Sequence, residues 1–290
     1  MRHAHLTYSR PDDPPMRRWA IRSMEQISGR GRLAELYERW RERVERGGTP
    51  AFGEMLRLMR IDLAISGHWP LAELPQRLVI VANHPFGIGD GAAVLSLAES
   101  LGRPFRILIA SELMKIPEMA AYGLPVVFSE TKEALAANRA TRQEALRLLA
   151  EGTTIVIFPA GGVATAPRIF GRALDLPWKH FTARLVRSAG ASVLPVHVEG
   201  QNGPLFHLVS KWSQTLRYGL LIGAFRRLYG RTIRLNVGQI ISHDALIAGG
   251  GGRIMTESLR EAVFALAPPH ARPRAWVKSG LVDIRSSPQP

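Results

Sequence analysis

Leu78-Val-Ile-Val-Ala-Asn-His-Pro-Phe-Gly-Ile-Gly-Asp-Gly91 runs from an apolar, β-branched stretch into a loop bearing glycines and a proline. A helical apolar pattern, Ala92 to Leu101, follows it. That order predicts strand, loop, helix. The same texture recurs outward along the chain. Apolar runs at Phe105 to Ile109, Thr153 to Phe158, Ser192 to His197 and Thr232 to Val237 read as strands. Amphipathic segments such as Arg142 to Glu151 lie between them, and a last helix is expected at Thr256 to Leu266. Strands alternating with helices predict an α/β domain with a mostly parallel central sheet flanked by helices. Such a sheet places its chemistry at the carboxyl ends of its strands.

Upstream of Pro75 the pattern is different. Ile21, Met24 and Ile27, then Leu33, Leu36, Tyr37 and Trp40, then Phe52, Met55, Leu56 and Met59 recur at helical spacing, with Gly29, Gly31 and Gly47-Gly48 as punctuation. Three helices are expected between Arg17 and Ser66. The expected organisation is a flexible tail at 1–15, a basic helical region at 16–75 suited to membrane docking, an α/β domain at 76–268, and a C-terminal tail at 269–290.

The chain has 290 residues, 38 Lys and Arg against 24 Asp and Glu, and no cysteine. The missing cysteines exclude a disulfide framework, thiolate metal sites and a cysteine nucleophile. A net charge of +14 points to an anionic partner: nucleic acid, an anionic membrane face or an acidic carrier protein. No zinc-finger ligand set, RNA-recognition pattern, Gly-x-Ser-x-Gly elbow or phosphate-binding Gly-Lys-Ser/Thr loop occurs. The start of the sequence carries no run resembling a secretory signal, and no apolar run approaches bilayer-spanning length.

His84 and Asp90 carry the chemistry of the opening stretch. A carboxylate can hold an imidazole in one tautomer and stabilise its cation, while the other ring nitrogen takes a proton from a nucleophile. Gly87 and Gly89 would let the backbone fold back so that the two side chains meet. The alternative is that Asp90 caps the following helix and His84 is a polar strand end.

With its neighbours, this stretch resembles the histidine-and-aspartate motif of the glycerolipid (1-acylglycerol-3-phosphate) acyltransferase superfamily. Asn83-His84 matches the motif's start, but five residues, Pro85 to Gly89, precede Asp90 where the family has four. The form Asn-His-Pro-Phe-Gly with the longer spacing resembles the hemolysin-like, lysophospholipid acyltransferase-like branch. Ile157-Phe-Pro-Ala-Gly-Gly162 is similar to the family's Phe-Pro-Glu-Gly-Thr-Arg, with Ala160 in the glutamate slot and no arginine directly after, so that Arg168 or Arg172 would have to stand in for it. Val193-Leu-Pro-Val-His-Val-Glu-Gly-Gln-Asn-Gly203 is similar to a Pro-Val then Glu-Gly-x-Asn stretch of the branch. Ala110 to Pro125 resembles the family's second block without its arginine. Together the blocks cover roughly Leu74 to Leu266.

The resemblance implies transfer of a fatty acyl group from acyl-carrier-protein or coenzyme A thioester to the hydroxyl of a lysolipid, either a lysophospholipid or a lyso-aminolipid such as lyso-ornithine lipid. His84 would be the general base and Asp90 its orienter. The expected substrate-binding residues are Asn83, Phe158, Pro159, Gly161, Gly162, Glu199 and Asn202. Gly161 and Gly162 amides would hold an anion or oxyanion, or simply build a turn. Glu199 with Asn202 would contact a headgroup or likewise build a turn. No metal or redox cofactor is implied, because a thioester is already activated. The basic N-terminal helices, with Trp19 and Trp40 among their arginines, would dock on anionic lipid at the inner face of the cytoplasmic membrane, or form a plain surface whose arginines pair with Glu25, Glu35, Glu38, Glu42 and Glu45. No nucleic-acid partner is expected. The alternatives are a noncatalytic lipid-binding relative or a basic nucleic-acid-binding protein.

Overall fold

The computed structural model describes Thr7, Ser9 and residues 13–269, apart from 28, 47–49, 130, 169 and 213. The expected C-terminal tail from 270 on, Gly47-Gly48 and most of 1–12 lie outside the described residues. Helices α1 (Pro15–Ile27), α2 (Arg30–Glu45) and α3 (Ala51–Leu58) come first, followed by strand β1 (Asp62–Gly67). Next come β2 (Leu78–Ala82), α4 (Ile88–Glu99), β3 (Phe105–Ala110), the short helix α5 (Pro117–Ala120), β4 (Gly123–Val126), α6 (Lys132–Ala150) and β5 (Thr154–Ile157). The chain continues through α7 (Phe181–Ala189), β6 (Ser192–Val198), the helical pair α8 (Pro204–Trp212) and α9 (Gln214–Arg226), β7 (Thr232–Val237), α10 (His243–Ala248) and α11 (Arg253–Ala265).

The strands form one sheet in the order β1-β7-β6-β2-β5-β3-β4. Among the paired strands only β6 and β7 run antiparallel. At the centre Ile80 of β2 is in register with Val156 on one side and Leu194 on the other. Every residue of β2 is fully buried, as expected of a parallel strand covered on both faces. Leu78, Ile80 and Ala82 face a core shared with Phe52 and Leu56 of α3, Val94 and Leu97 of α4 and Phe225 of α9. Val79 and Val81 face the opposite core, with Leu149 of α6, Leu185 of α7 and Leu259 and Val263 of α11. Two helical layers therefore sandwich the sheet, which is the α/β architecture expected from the sequence.

Two strands were not among those expected. β1 lies within the region read as helical and extends the sheet by pairing with β7, Leu63 opposite Ile233 and Ile65 opposite Leu235. β4, at Gly123–Val126, is short and contains a proline, so the sequence offers no apolar run there; it sits at the edge beside β3. Within the stretch expected to be a flexible tail, the described Thr7 and Ser9 are held against the rest of the chain. Thr7 and Ser9 are buried, Lys115 Nζ donates to the Thr7 carbonyl, and Arg22 Nε donates to Ser9 Oγ at 3.3 Å.

The N-terminal helices are part of the core. Trp40, expected among docking residues, is 3 % exposed and its indole N–H donates to the Ala51 carbonyl at 2.6 Å. Several of the basic residues there are internally paired: Arg43 and Arg57 both hold the buried Glu54 carboxylate, at 2.8 and 2.7 Å. Trp19, Met16 and Ile27 of α1 remain exposed.

Candidate active site

The carboxyl end of β2 delivers Asn83 and His84 to the rim of the sheet, and α4 begins four residues later. Gly87 turns the chain with φ +91°, a left-handed value that an L side chain adopts only with strain. A Cβ there would also stand 2.8 Å from Leu221 Cδ2. This turn places Asp90 in the first turn of α4. Asp90 is the third residue of α4 and not its N-cap, a position that Gly87 holds. Asp90 Oδ2 accepts from the Phe86 N–H at 2.7 Å, which ties the helix's first turn to the loop before it, and Oδ1 accepts from the Gly91 N–H at 2.8 Å. The same Oδ1 lies 3.0 Å from His84 Nδ1. Asp90 is completely buried, whereas His84 keeps 18 % of its side chain exposed. The pair thus has an inner carboxylate and an outer imidazole.

A second carboxylate grips the same histidine and was not found from sequence. Asp175 Oδ1 accepts from the His84 backbone N–H at 3.2 Å, and its Oδ2 accepts from the Trp178 indole N–H at 3.0 Å. Burial pushes the Asp175 carboxyl above the usual carboxylate range, against the opposing pull of Trp178 and His84. The only local signal was the i, i+3 pair within Asp175-Leu-Pro-Trp178, which has no spacing to the histidine 91 residues earlier. Ala164 completes the grip by donating its N–H to the His84 carbonyl at 2.7 Å.

The other expected residues divide into those beside the dyad and those spent on the framework. Phe158 lies against the imidazole, ring centroids 4.4 Å apart and tilted by 31°. Pro159 accepts from the Lys179 N–H through its carbonyl. Gly161, expected to offer an amide to an anion, donates it to the Phe158 carbonyl at 3.0 Å and has φ +66°, so this residue builds a turn. Gly162 follows that turn. Ala160 is 1 % exposed against the second core, a place where a glutamate would be buried. Asn83 uses both ends of its amide on Val198 of β6: Nδ2 donates to the carbonyl at 2.9 Å and Oδ1 accepts from the N–H at 2.7 Å. This clamps the histidine-bearing loop to β6. Asn202 Nδ2 donates to the Phe86 carbonyl at 3.4 Å, supporting the same loop from the other side. Glu199 Oε1 accepts from Asn236 Nδ2 at 2.8 Å.

Two cavities adjoin this assembly. A polar cleft of about 320 Å³ is lined by Asn83, Pro85, Arg172, Asp175, His197, Glu199 and Arg234 among others. His197 is nine-tenths buried in it, and burial pushes its imidazole down to about 4. An apolar cavity of about 180 Å³ lies between α2, α3 and α9, lined by Leu33, Tyr37, Met55, Met59, Ile88 and Ile222 with their neighbours. Ile88 belongs to the first turn of α4, two residues before Asp90, so this cavity reaches the helix that carries the dyad's carboxylate.

No curated protein matches the chain in sequence. Among solved structures it is similar to the 1-acyl-sn-glycerophosphate (LPA) acyltransferase PlsC from Thermotoga maritima. The two are 16 % identical, with 86 % of this chain and 79 % of that chain covered and a TM-score of 0.47. A family model described as acyltransferase matches residues 67–266, a span that contains β2, the dyad, the Phe158 turn and the Glu199 loop. With that match over most of its length, and with the glycerolipid acyltransferase resemblance of the motifs it contains, the chain belongs to the acyltransferase family.

Proposed function

We propose that this protein is an O-acyltransferase that moves a fatty acyl group from an acyl-carrier-protein or coenzyme A thioester to the hydroxyl of a lysolipid. The observation that carries this reading is the 3.0 Å approach of His84 Nδ1 to a fully buried Asp90, at the carboxyl end of a central strand in an acyltransferase-family chain. In the proposed step Asp90 fixes the tautomer with its proton on Nδ1, leaving Nε2 to accept one. His84 Nε2 takes the acceptor hydroxyl's proton as the oxygen attacks the thioester carbonyl. The tetrahedral oxyanion then collapses with cleavage of the C–S bond, and the imidazolium returns the proton to the departing sulfur. The products are an ester and a thiol, and no acyl-enzyme or cofactor is needed. Gly162 is the remaining backbone candidate to meet the oxyanion, since the Gly161 amide is engaged.

The apolar cavity beside Ile88 suits the acyl chain, because a wall made mostly of leucine, methionine and isoleucine offers dispersion contacts along it. The acceptor would approach from membrane. No described helix is long and apolar enough to cross a bilayer, and α1 presents Met16, Trp19 and Ile27 beside Arg17, Arg18 and Arg22. Peripheral docking on the cytoplasmic face of the cytoplasmic membrane follows as part of the proposal. The lyso-aminolipid acceptor is preferred over lysophosphatidate, because the Ala160-Gly-Gly162 stretch lacks the glutamate and arginine of the family's phosphate motif.

The test is transfer of radiolabelled acyl groups by the purified protein in mixed micelles, offering both thioesters against a panel of lysolipids. Label entering a lysolipid supports the proposal and identifies the acceptor. No transfer from either donor to any acceptor, with the protein folded, would instead support the noncatalytic alternative.

A further inference from the structure

Between β5 and α7 the described residues 165–168 and 170–174 form a hairpin whose construction the mechanism leaves unused. Its arms pair through Thr165 and Leu174, each N–H donating to the other's carbonyl, at 3.1 and 3.0 Å. The tip is closed by the Gly171 N–H donating to the Arg168 carbonyl at 2.8 Å. Gln201 braces it from the side: Oε1 accepts from the Ala173 N–H at 2.8 Å and Nε2 donates to the Gly171 carbonyl at 3.1 Å. On this braced turn stands Phe170, 89 % exposed, with exposed Arg168 and Arg172 on either side. Leu174 and Leu176, 40 % and 38 % exposed, extend the apolar surface towards the base.

An aromatic ring held in water by a hydrogen-bonded turn forgoes a large burial free energy, and it recovers that energy only against an apolar partner. Guanidinium groups on both sides of such a ring match an interface that is apolar inside and anionic at its surface. The feet of the hairpin meet the site directly. Ala164 at one end donates to the His84 carbonyl, and Asp175 at the other accepts from the His84 N–H.

We propose that the hairpin closed by Thr165 and Leu174 is a lipid-contacting wedge: Phe170 enters the acyl region of an anionic bilayer while Arg168 and Arg172 engage its headgroups. Because both feet hold the backbone of His84, the wedge sets the membrane surface at a fixed position relative to the dyad. The docking stands independently of the chemistry. Its consequence for turnover rests on the acyltransferase reading.

The experiment is flotation of the full-length protein with phosphatidylcholine vesicles, with and without phosphatidylglycerol, comparing wild type, Phe170→Asp, Phe170→Trp and the double variant Arg168→Gln/Arg172→Gln. Phe170→Asp should lower partitioning to anionic vesicles by roughly ten- to a hundredfold, the range expected for losing one buried aromatic ring. Phe170→Trp should retain it, and the arginine variant should bind anionic vesicles roughly ten- to thirtyfold more weakly while its binding to neutral ones is unchanged. Circular dichroism checks that each variant is folded; the exposed position makes unfolding unexpected. Partitioning of Phe170→Asp equal to wild type would overturn the proposal. Unchanged vesicle binding with lost binding to an acidic acyl carrier protein would also overturn it, by making the hairpin a protein-docking surface. If Phe170→Asp loses vesicle binding while the wild type transfers no acyl group, the wedge survives and the acyltransferase reading fails.

Discussion

At His84 the ring and the backbone face different carboxylates. Asp90 meets Nδ1 of the imidazole, while Asp175 takes the backbone N–H and anchors itself on Trp178. Asp175 is therefore a positioning residue. Asp175→Asn keeps an acceptor for the His84 N–H but turns an amide NH₂ towards the Trp178 N–H, donor against donor. The expected cost is roughly 1–3 kcal/mol of stability, measured by urea unfolding, together with a fall in kcat. Trp178→Phe removes the second donor without touching His84, so it should lose comparable stability and retain more of kcat. Equal kcat losses in the two variants would make Asp175 a packing residue only. His84 and Asp90 were legible in the sequence because motif and spacing fall within one loop. Asp175 was not, because its partner is distant in the chain and its role lies in one backbone hydrogen bond. Gly161 and Asn83 were legible as site neighbours, but their hydrogen bonds go to the framework, a distinction that residue type does not encode.

Among the elements, the loop from β2 into α4 depends on Gly87. Gly87→Ala places a Cβ at φ +91° and 2.8 Å from Leu221 Cδ2, so a loss of roughly 1–3 kcal/mol is expected in urea melts, accompanied by weaker activity as the dyad separates. β6 carries a different liability. The folded imidazole of His197 is pushed down to about 4 from an ordinary 6.5, mainly by burial, with the Glu199 carboxylate acting against that. Between these values the unfolded chain binds a proton that the folded chain does not. Stability is therefore unaffected above pH 6.5 and declines as pH falls towards 4, by roughly 3 kcal/mol in all. His197→Gln should flatten that part of the pH profile of thermal unfolding, and an unchanged acid slope would show that other groups control it. The strands that alternate with helices were legible from their apolar runs. β1 was not, because Asp62-Leu-Ala-Ile-Ser-Gly67 joins an edge through β7 and is largely solvent-facing, so its pattern merges with the helix before it. β4 is four residues long with a proline, below what an apolar run can signal.

For the whole molecule, the +14 charge is the property most directly tied to the proposed membrane docking. Ion pairing within α2 and α3 neutralises part of what the sequence presents as a basic face, since Arg41, Arg43 and Arg57 have carboxylate partners at 2.7–2.8 Å. The remaining attraction to anionic vesicles should fall about tenfold or more between low salt and about 0.5 M salt, as charges beyond a Debye length are screened. Vesicle sedimentation at the two salt levels measures this, and salt-independent binding would assign the docking to apolar contacts alone. The α/β architecture was legible at this scale because alternating apolar runs and helical periods leave few alternatives. The closing of the N-terminal helices onto the core was not, because Trp40 and Phe52 are buried against residues far along the chain, such as Leu97 and Phe105. The central claim is that His84 takes the acceptor's proton. It is tested most directly by the acyl-transfer rate of wild type and His84→Ala at saturating donor and lysolipid, with matched thermal unfolding. The rate should fall by about 10² to 10⁴ in a folded variant, and a rate equal to wild type would contradict the role given to this histidine.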